Sequence, residues 1–159
     1  SPGSGFWYLS LFLPTPPPNY IRVAAAFCLH DHKLLIARRR PDKQQGGLWE
    51  LPGGKVEPDE SLQQCLEREI QEELGMTVRA GAVLAHCLHR YSGIGIQLIA
   101  LDTRWLCGEP QLNDHDRLEW IKPNEWHHKT WAPADMPLLG QMLAAQSQLM
   151  TMPVSTSAF

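Results

Sequence analysis

No stretch of this 159-residue chain can cross a bilayer as a helix. Its apolar run Phe6–Leu13 falls far short of the roughly 20 residues that a span requires. That run also lacks the basic flank and small-residue cleavage site of a secretory signal. There is no CxxC pair. Cys28, Cys65, Cys87 and Cys107 are scattered. Although Cys87 lies between His86 and His89, no second ligand cluster stands at zinc-site spacing. Reduced structural thiols, and hence the cytoplasm, are the expectation. Nor is there an excess of positive charge. A formal net charge of −3 provides no general attraction to nucleic acid, so no stable nucleic-acid complex is expected. Polyphosphate binding would have to come from a local site and its metals. Internal repeats, heptads and nucleic-acid-binding motifs are likewise missing. A hydrophobic content of 43% suffices for one domain with a real core.

Residues 1–19 differ in character from the rest. They read either as a leader that is partly an expression scar or as an arm that packs on its own or a neighbouring subunit, with Pro14–Pro18 as a stiff spacer. The domain is expected over 20–150, with 151–159 as a frayed tail. Ile21–Leu29 and Lys33–Arg38 read as a hairpin about His30-Asp31-His32. Arg38, Arg39 and Arg40 follow as either a solvated basic loop or a phosphate contact. Leu48–Gly54 leads into an acidic segment. Beyond it, Thr77–Arg79, Ala82–Arg90, Ile94–Leu106 and Leu118–Ile121 read as strands, and Asn113–Arg117 as a loop. A second helix is expected from Asp135 to about Met150. Strands flanking two helices imply an α/β fold, an α/β/α sandwich with a mixed β-sheet.

The acidic segment runs from Gly54 to Met76. Ser61 is a plausible N-cap with Gln64 three residues on, and Gly75 stands where a left-handed C-terminal cap belongs. Leu62, Leu66, Ile70 and Leu74 form an apolar stripe. At about 100° per residue, Glu73 and Glu69 fall about 20° to either side of Leu62, and Glu72 about 80° away. The carboxylates should therefore overlap one edge of the buried stripe instead of facing water. Crowding them at i, i+3 and i+4 costs a few tenths of a kcal/mol per pair, more when partly buried. A hard divalent cation, Mg²⁺ or Mn²⁺, would remove that penalty.

The full spacing, G-x5-E-x7-R-E-I-x-E-E-x-G-M, resembles the signature box of the Nudix hydrolases at every fixed position. WELPGGKVEPDES and the later Trp-Ala-Pro-Ala-Asp-Met-Pro segment look most like the MutT-type branch, and the likeness covers about Ile21 to Leu143. The resemblance implies metal-dependent hydrolysis of a nucleoside triphosphate to monophosphate and pyrophosphate by substitution at the β-phosphorus. It implies Glu69, Glu72, Glu73 and the Gly53 carbonyl as metal ligands. Arg68 would orient a glutamate and Glu60 would support the site. Asp114 falls where relatives place a loop glutamate that reaches the metals; it is shorter, and His115 or Asp116 could be the nearer group. Glu69 is the first choice of general base, with Asp114 the alternative. Arg39, Asp135, Glu50 and Tyr91 are the candidate substrate contacts.

Asp135 stands at the base-reading position of the branch that removes 8-oxo-dGTP, and the arginine of that branch is replaced by Ile94. An ionised carboxylate only accepts, which matches the N1–H and N2–H of guanine, or the N7–H that oxidation creates. Oxidised guanine nucleotides such as 8-oxo-dGTP are therefore the leading expectation, a role in nucleotide-pool sanitation and DNA repair. Cytidine triphosphates are one alternative, since the APAD-x-P run resembles the CTP-type enzymes. Hydrolysis of the 5′ triphosphate end of RNA is another. A non-catalytic nucleotide sensor is disfavoured by the intact box. Asp135 could instead be the N-cap of the last helix, and Trp131 and Trp126 could stack on a base. A monomer or homodimer is expected, with no membrane partner.

Overall fold

The computed structural model describes the backbone of residues 13–151 and the side chains of residues 13–144. The expectations for 1–12 and 152–159 lie outside the described residues. Strand β1 (Tyr20–His30) is the axis of the sheet. Its alternating side chains enter two cores on opposite faces. Ala25 and Phe27 join one cluster, while Ala24, Ala26 and Cys28 join the other. A strand buried on both faces reads as an unbroken run of small and apolar residues, as this one does.

Strand β2 (Lys33–Arg39) follows a turn at Asp31 and His32, both at positive φ. The hairpin is brief. Only Leu29↔Leu34 and His30↔Lys33 pair before the strands part. From there β1 pairs antiparallel with β4 (Gly53–Lys55) and parallel with β6 (Ile94–Cys107). On its side β2 pairs antiparallel with β3 (Trp49–Glu50) and with β7 (His115–Ile121). Strand β5 (Thr77–Tyr91) closes the far edge against β6. The seven strands therefore form a mixed sheet in the order β3-β2-β1-β6-β5, with β4 on β1 and β7 on β2.

Helix α1 (Leu62–Leu74) covers one face and α2 (Asp135–Thr151) the other. Cys65, Leu66, Ile70 and Leu74 of α1 are buried against Ala24, Leu35, Ile99 and Leu101. Leu138, Leu139 and Met142 of α2 lie on Phe27, Ile36 and Ala100. This is the α/β/α sandwich. The caps of α1 are as the sequence implies. Ser61 Oγ accepts from Gln64 N (3.0 Å), Gln64 Oε1 accepts from Ser61 N (2.9 Å), and Gly75 is left-handed at φ 66°. No helix among the described residues is long and apolar enough to cross a membrane.

Three local expectations change. The pieces at 77–79 and 82–90 form the single strand β5, which continues through register shifts between Ala80 and Ala85. The loop expected at 113–117 becomes strand from His115 onward. The glycine-rich approach to α1 contains two short strands, β3 and β4. Within residues 13–19, Leu13 touches the α1-side core and Pro14 O accepts from the buried Gln97 amide (2.9 Å).

Leu66 is fully buried, so Leu66→Ala should lower unfolding free energy by about 2–5 kcal/mol. Ser61→Ala, which removes only the cap, should lower it by about 0.5–2 kcal/mol. Urea denaturation of both variants checks the ranking.

Candidate active site

The floor of the site is made where β4 passes under α1. Gly54 pairs with Ala24, and the Glu69 carboxylate lies directly over it. A Cβ on Gly54 would overlap that carboxylate, and one on Gly53 would run into the Ala24 carbonyl. Both glycines are thus required by close approach. Arg68 organises the acidic groups around this floor. Its Nε and Nη2 donate to both oxygens of Glu60 (2.7 and 2.9 Å). Its Nη1 donates to Glu69 (2.9 Å) and to Glu72 (3.2 Å). The fork is on Glu60, which also accepts from Glu57 N (3.0 Å). Hydrogen bonds from Arg68, then that backbone donor, draw the Glu60 pKa down to about 2. The expectation that all three box carboxylates avoid water is corrected. Glu69 is 14% exposed, but Glu72 is 59% exposed and faces solvent, as its larger angle from the stripe requires.

Glu73 is different. Burial pushes its pKa up to about 7, and Glu69, Glu50 and Asp114 add like-charge repulsion, while His115 acts in the opposite direction. These five groups come from α1, β3, β7 and the loop before β7. Sequence reasoning named four of them for the site. His115, considered only as a stand-in for Asp114, is the buried one. Its acidic neighbours read as loop and hid its place at the start of a strand.

A register shift explains the geometry. In the β2–β7 pairing, Arg38 stands opposite Arg117 and Arg39 opposite His115, so Asp116 is skipped. Asp116 turns to Arg38 in a two-bond fork (2.8 and 2.8 Å), which removes it as a metal candidate. Arg39 and His115 both aim at Glu50. Arg39 Nη1 is 3.2 Å and His115 Nε2 3.5 Å from the same Glu50 Oε1. Arg40 takes Asp42 instead, and Asp114 lies 3.5 Å from Lys43 Nζ.

The donor set fits a hard divalent cation in kind. Carboxylates crowd a half-buried floor where burial, with like charges nearby, raises the pKa of Glu73 to about 7. Among the described residues no three His, Cys, Asp or Glu side chains already converge as a metal cage. Arg68 instead takes up Glu69 and Glu72.

On the α2 side, the N-cap reading of Asp135 is corrected. Asp135 is the first residue of the helix, buried, and its Oδ2 accepts from Leu51 N (2.9 Å). Burial, then the nearby Glu50 charge, holds its carboxyl well above the usual range, which favours the acid form. Tyr91 Oη accepts from Ala134 N (3.2 Å), one residue before it. The tryptophan stacking reading loses support. Trp131 is buried, bridges to Trp49 and donates to Trp126 O (2.6 Å), and Trp126 packs on the same core. Ile94 opens strand β6 and is half exposed.

Comparison with known proteins agrees with this layout. The NUDIX domain model matches residues 19–141. The chain is 42% identical over 127 residues to the CTP pyrophosphohydrolase of Escherichia coli, covering 80% of this chain and 94% of that protein. It is 37% identical over 118 residues to the putative 8-oxo-dGTP diphosphatase 2 of Mycobacterium tuberculosis, covering 74% and 83%. Among solved structures, the E. coli ORF135 protein superposes with a TM-score of 0.72 at 39% identity, covering 84% and 97%.

The raised Glu73 pKa has a consequence for stability in chelator. Between its ordinary 4.5 and about 7, the folded state holds a proton that the unfolded state has released. Stability should therefore fall as pH rises through that window. Asp135 contributes with the same sign, so the comparison is with Glu73→Gln, whose unfolding midpoint should fall less between pH 5 and pH 7.5. Equal slopes would show that Glu73 titrates normally.

Proposed function

The chain belongs to the Nudix family of hydrolases, which act on nucleotide substrates and generally use divalent metal ions, and on that premise we propose that it is a MutT-type nucleoside triphosphate pyrophosphohydrolase releasing nucleoside monophosphate and pyrophosphate. The observation that supports this most is Glu69 lying over the glycine floor with the charge of Glu73 close by, and Arg68 steering the box carboxylates. Glu69, Glu72, Glu73 and the Gly53 carbonyl would hold Mg²⁺ or Mn²⁺, with Asp114 reaching in from its loop. Bound there, the metal lowers the pKa of water and offsets the charge of the polyphosphate and departing pyrophosphate.

The chain's own residues do the rest. Glu69 is the general base, because Arg68 occupies one of its oxygens and leaves the other to receive a proton. Glu60 fixes the guanidinium that fixes Glu69. Asp114 is the alternative base. Arg39 meets the phosphates, and Glu50 and Tyr91 border the nucleoside with Asp135. The free thiols of Cys28, Cys65, Cys87 and Cys107 fit action in the cytoplasm.

Base preference rests on Asp135. As a carboxylate it would favour guanine-type donors. Its burial beside Glu50 favours the acid form, which donates once and accepts once. That pair matches the O6 and N7–H of 8-oxoguanine, and it equally matches the N3 and amino group of cytosine. Nucleotides of oxidised guanine, such as 8-oxo-dGTP, are one reading and cytidine triphosphates are the second, and the acid form of Asp135 suits both.

With Mg²⁺, pyrophosphate release should be faster from 8-oxo-dGTP or from CTP and dCTP than from dATP or dTTP. Release from a 5′-triphosphate RNA, and not from free nucleotides, would move the substrate to RNA ends. No turnover of any triphosphate would sink the proposal. Glu69→Gln should lower kcat by about 10²-fold or more. Asp135→Ala should raise KM for the preferred base more than for the others.

A further inference from the structure

His115 is the one buried polar side chain of the site that the reaction outlined above does not use. It is 1% exposed, and among the described residues neither Nδ1 nor Nε2 has a hydrogen-bond partner, although Nε2 approaches Glu50 Oε1 to 3.5 Å. A leucine or phenylalanine would fill the same space without burying two ring nitrogens. The skipped register at Asp116 turns His115 inward opposite Arg39, and both side chains face one oxygen of Glu50. Two acceptors cannot face each other, so the nitrogen toward Glu50 is the one that carries the proton.

We propose that His115 is a positioning residue that holds the Glu50 carboxylate against Arg39, so that the guanidinium is presented to the substrate phosphates at a fixed angle. The inference rests on the triphosphatase reading for its consequence and on the His115–Glu50–Arg39 contacts for its cause. Arg39 is anchored at two points, its Nε on Gln44 O (2.7 Å) and its Nη1 on Glu50 (3.2 Å). Glu50 in turn lies on a two-residue strand beside Leu51, whose N–H donates to Asp135. Loosening Glu50 therefore disturbs the phosphate contact first, and the neighbouring base pocket with it. The histidine side chain is shut off from solvent. Its effect belongs to substrate binding, with a smaller one on turnover.

The test combines kinetics with a readout that needs no turnover. His115→Leu should raise KM for the preferred triphosphate roughly tenfold and lower kcat by less than about threefold. His115→Gln, whose amide N–H extends in the same direction, should recover most of the loss. In a Glu50→Gln background, His115→Leu should add nothing further to KM. ¹⁵N NMR of the imidazole should show the Nε2–H tautomer in the wild type and a shifted Nε2 resonance in Glu50→Gln. Should His115→Leu fail to fold, His115→Gln and the NMR comparison carry the test. Additive KM effects in the double variant, or an Nδ1–H tautomer in the wild type, overturn the proposal. A wild type that hydrolyses no triphosphate would defeat the functional reading, and the tautomer then decides the His115–Glu50 contact by itself.

Discussion

The site depends on how one guanidinium distributes its donors. Arg68 gives two hydrogen bonds to Glu60 and one each to Glu69 and Glu72. This turns a repulsive row of carboxylates into an ordered one, because charge-assisted forks fix direction as well as distance. Glu73, out of its reach, is left with burial and like charges. The contrast between Glu60, drawn down to about 2, and Glu73, pushed up to about 7, is the electrostatic signature of the floor. A divalent cation would act on Glu73, where Arg68 makes no hydrogen bond.

The scaffold serves this arrangement through β1. Its small side chains let α1 and α2 approach the sheet from opposite faces, and its antiparallel pairing with β4 brings Gly54 under Glu69. On the other half, the skipped register between β2 and β7 sends Asp116 outward to Arg38, while Arg39 and His115 turn inward to Glu50. The groups proposed to hold metal and those proposed to border the nucleoside thus meet around Glu50 and Glu73. They come from elements that no local pattern links.

What was legible in the chain follows from locality. The capping box, the i+4 stripe and the left-handed Gly75 are short-range features, and α1 formed as they imply. Strand β7 was legible only in part, since Asp114-His115-Asp116 looks like loop until Arg38 supplies the partner for Asp116. Asp135 could not be placed from sequence, because its state depends on Leu51 N–H and Glu50, some eighty residues away. His115 escaped for the same reason. Its meaning lies in Glu50, which a different strand delivers.

The central claim is that Glu73 and its neighbours form a divalent-cation site whose occupation discharges a buried proton. Calorimetric titration of Mn²⁺ into the protein near pH 6.5, repeated in buffers of different ionisation enthalpy, tests it directly. The account predicts saturable binding with proton release in the wild type, and loss of that release in Glu73→Gln. Saturable binding with no proton release, or no binding at all, would contradict it.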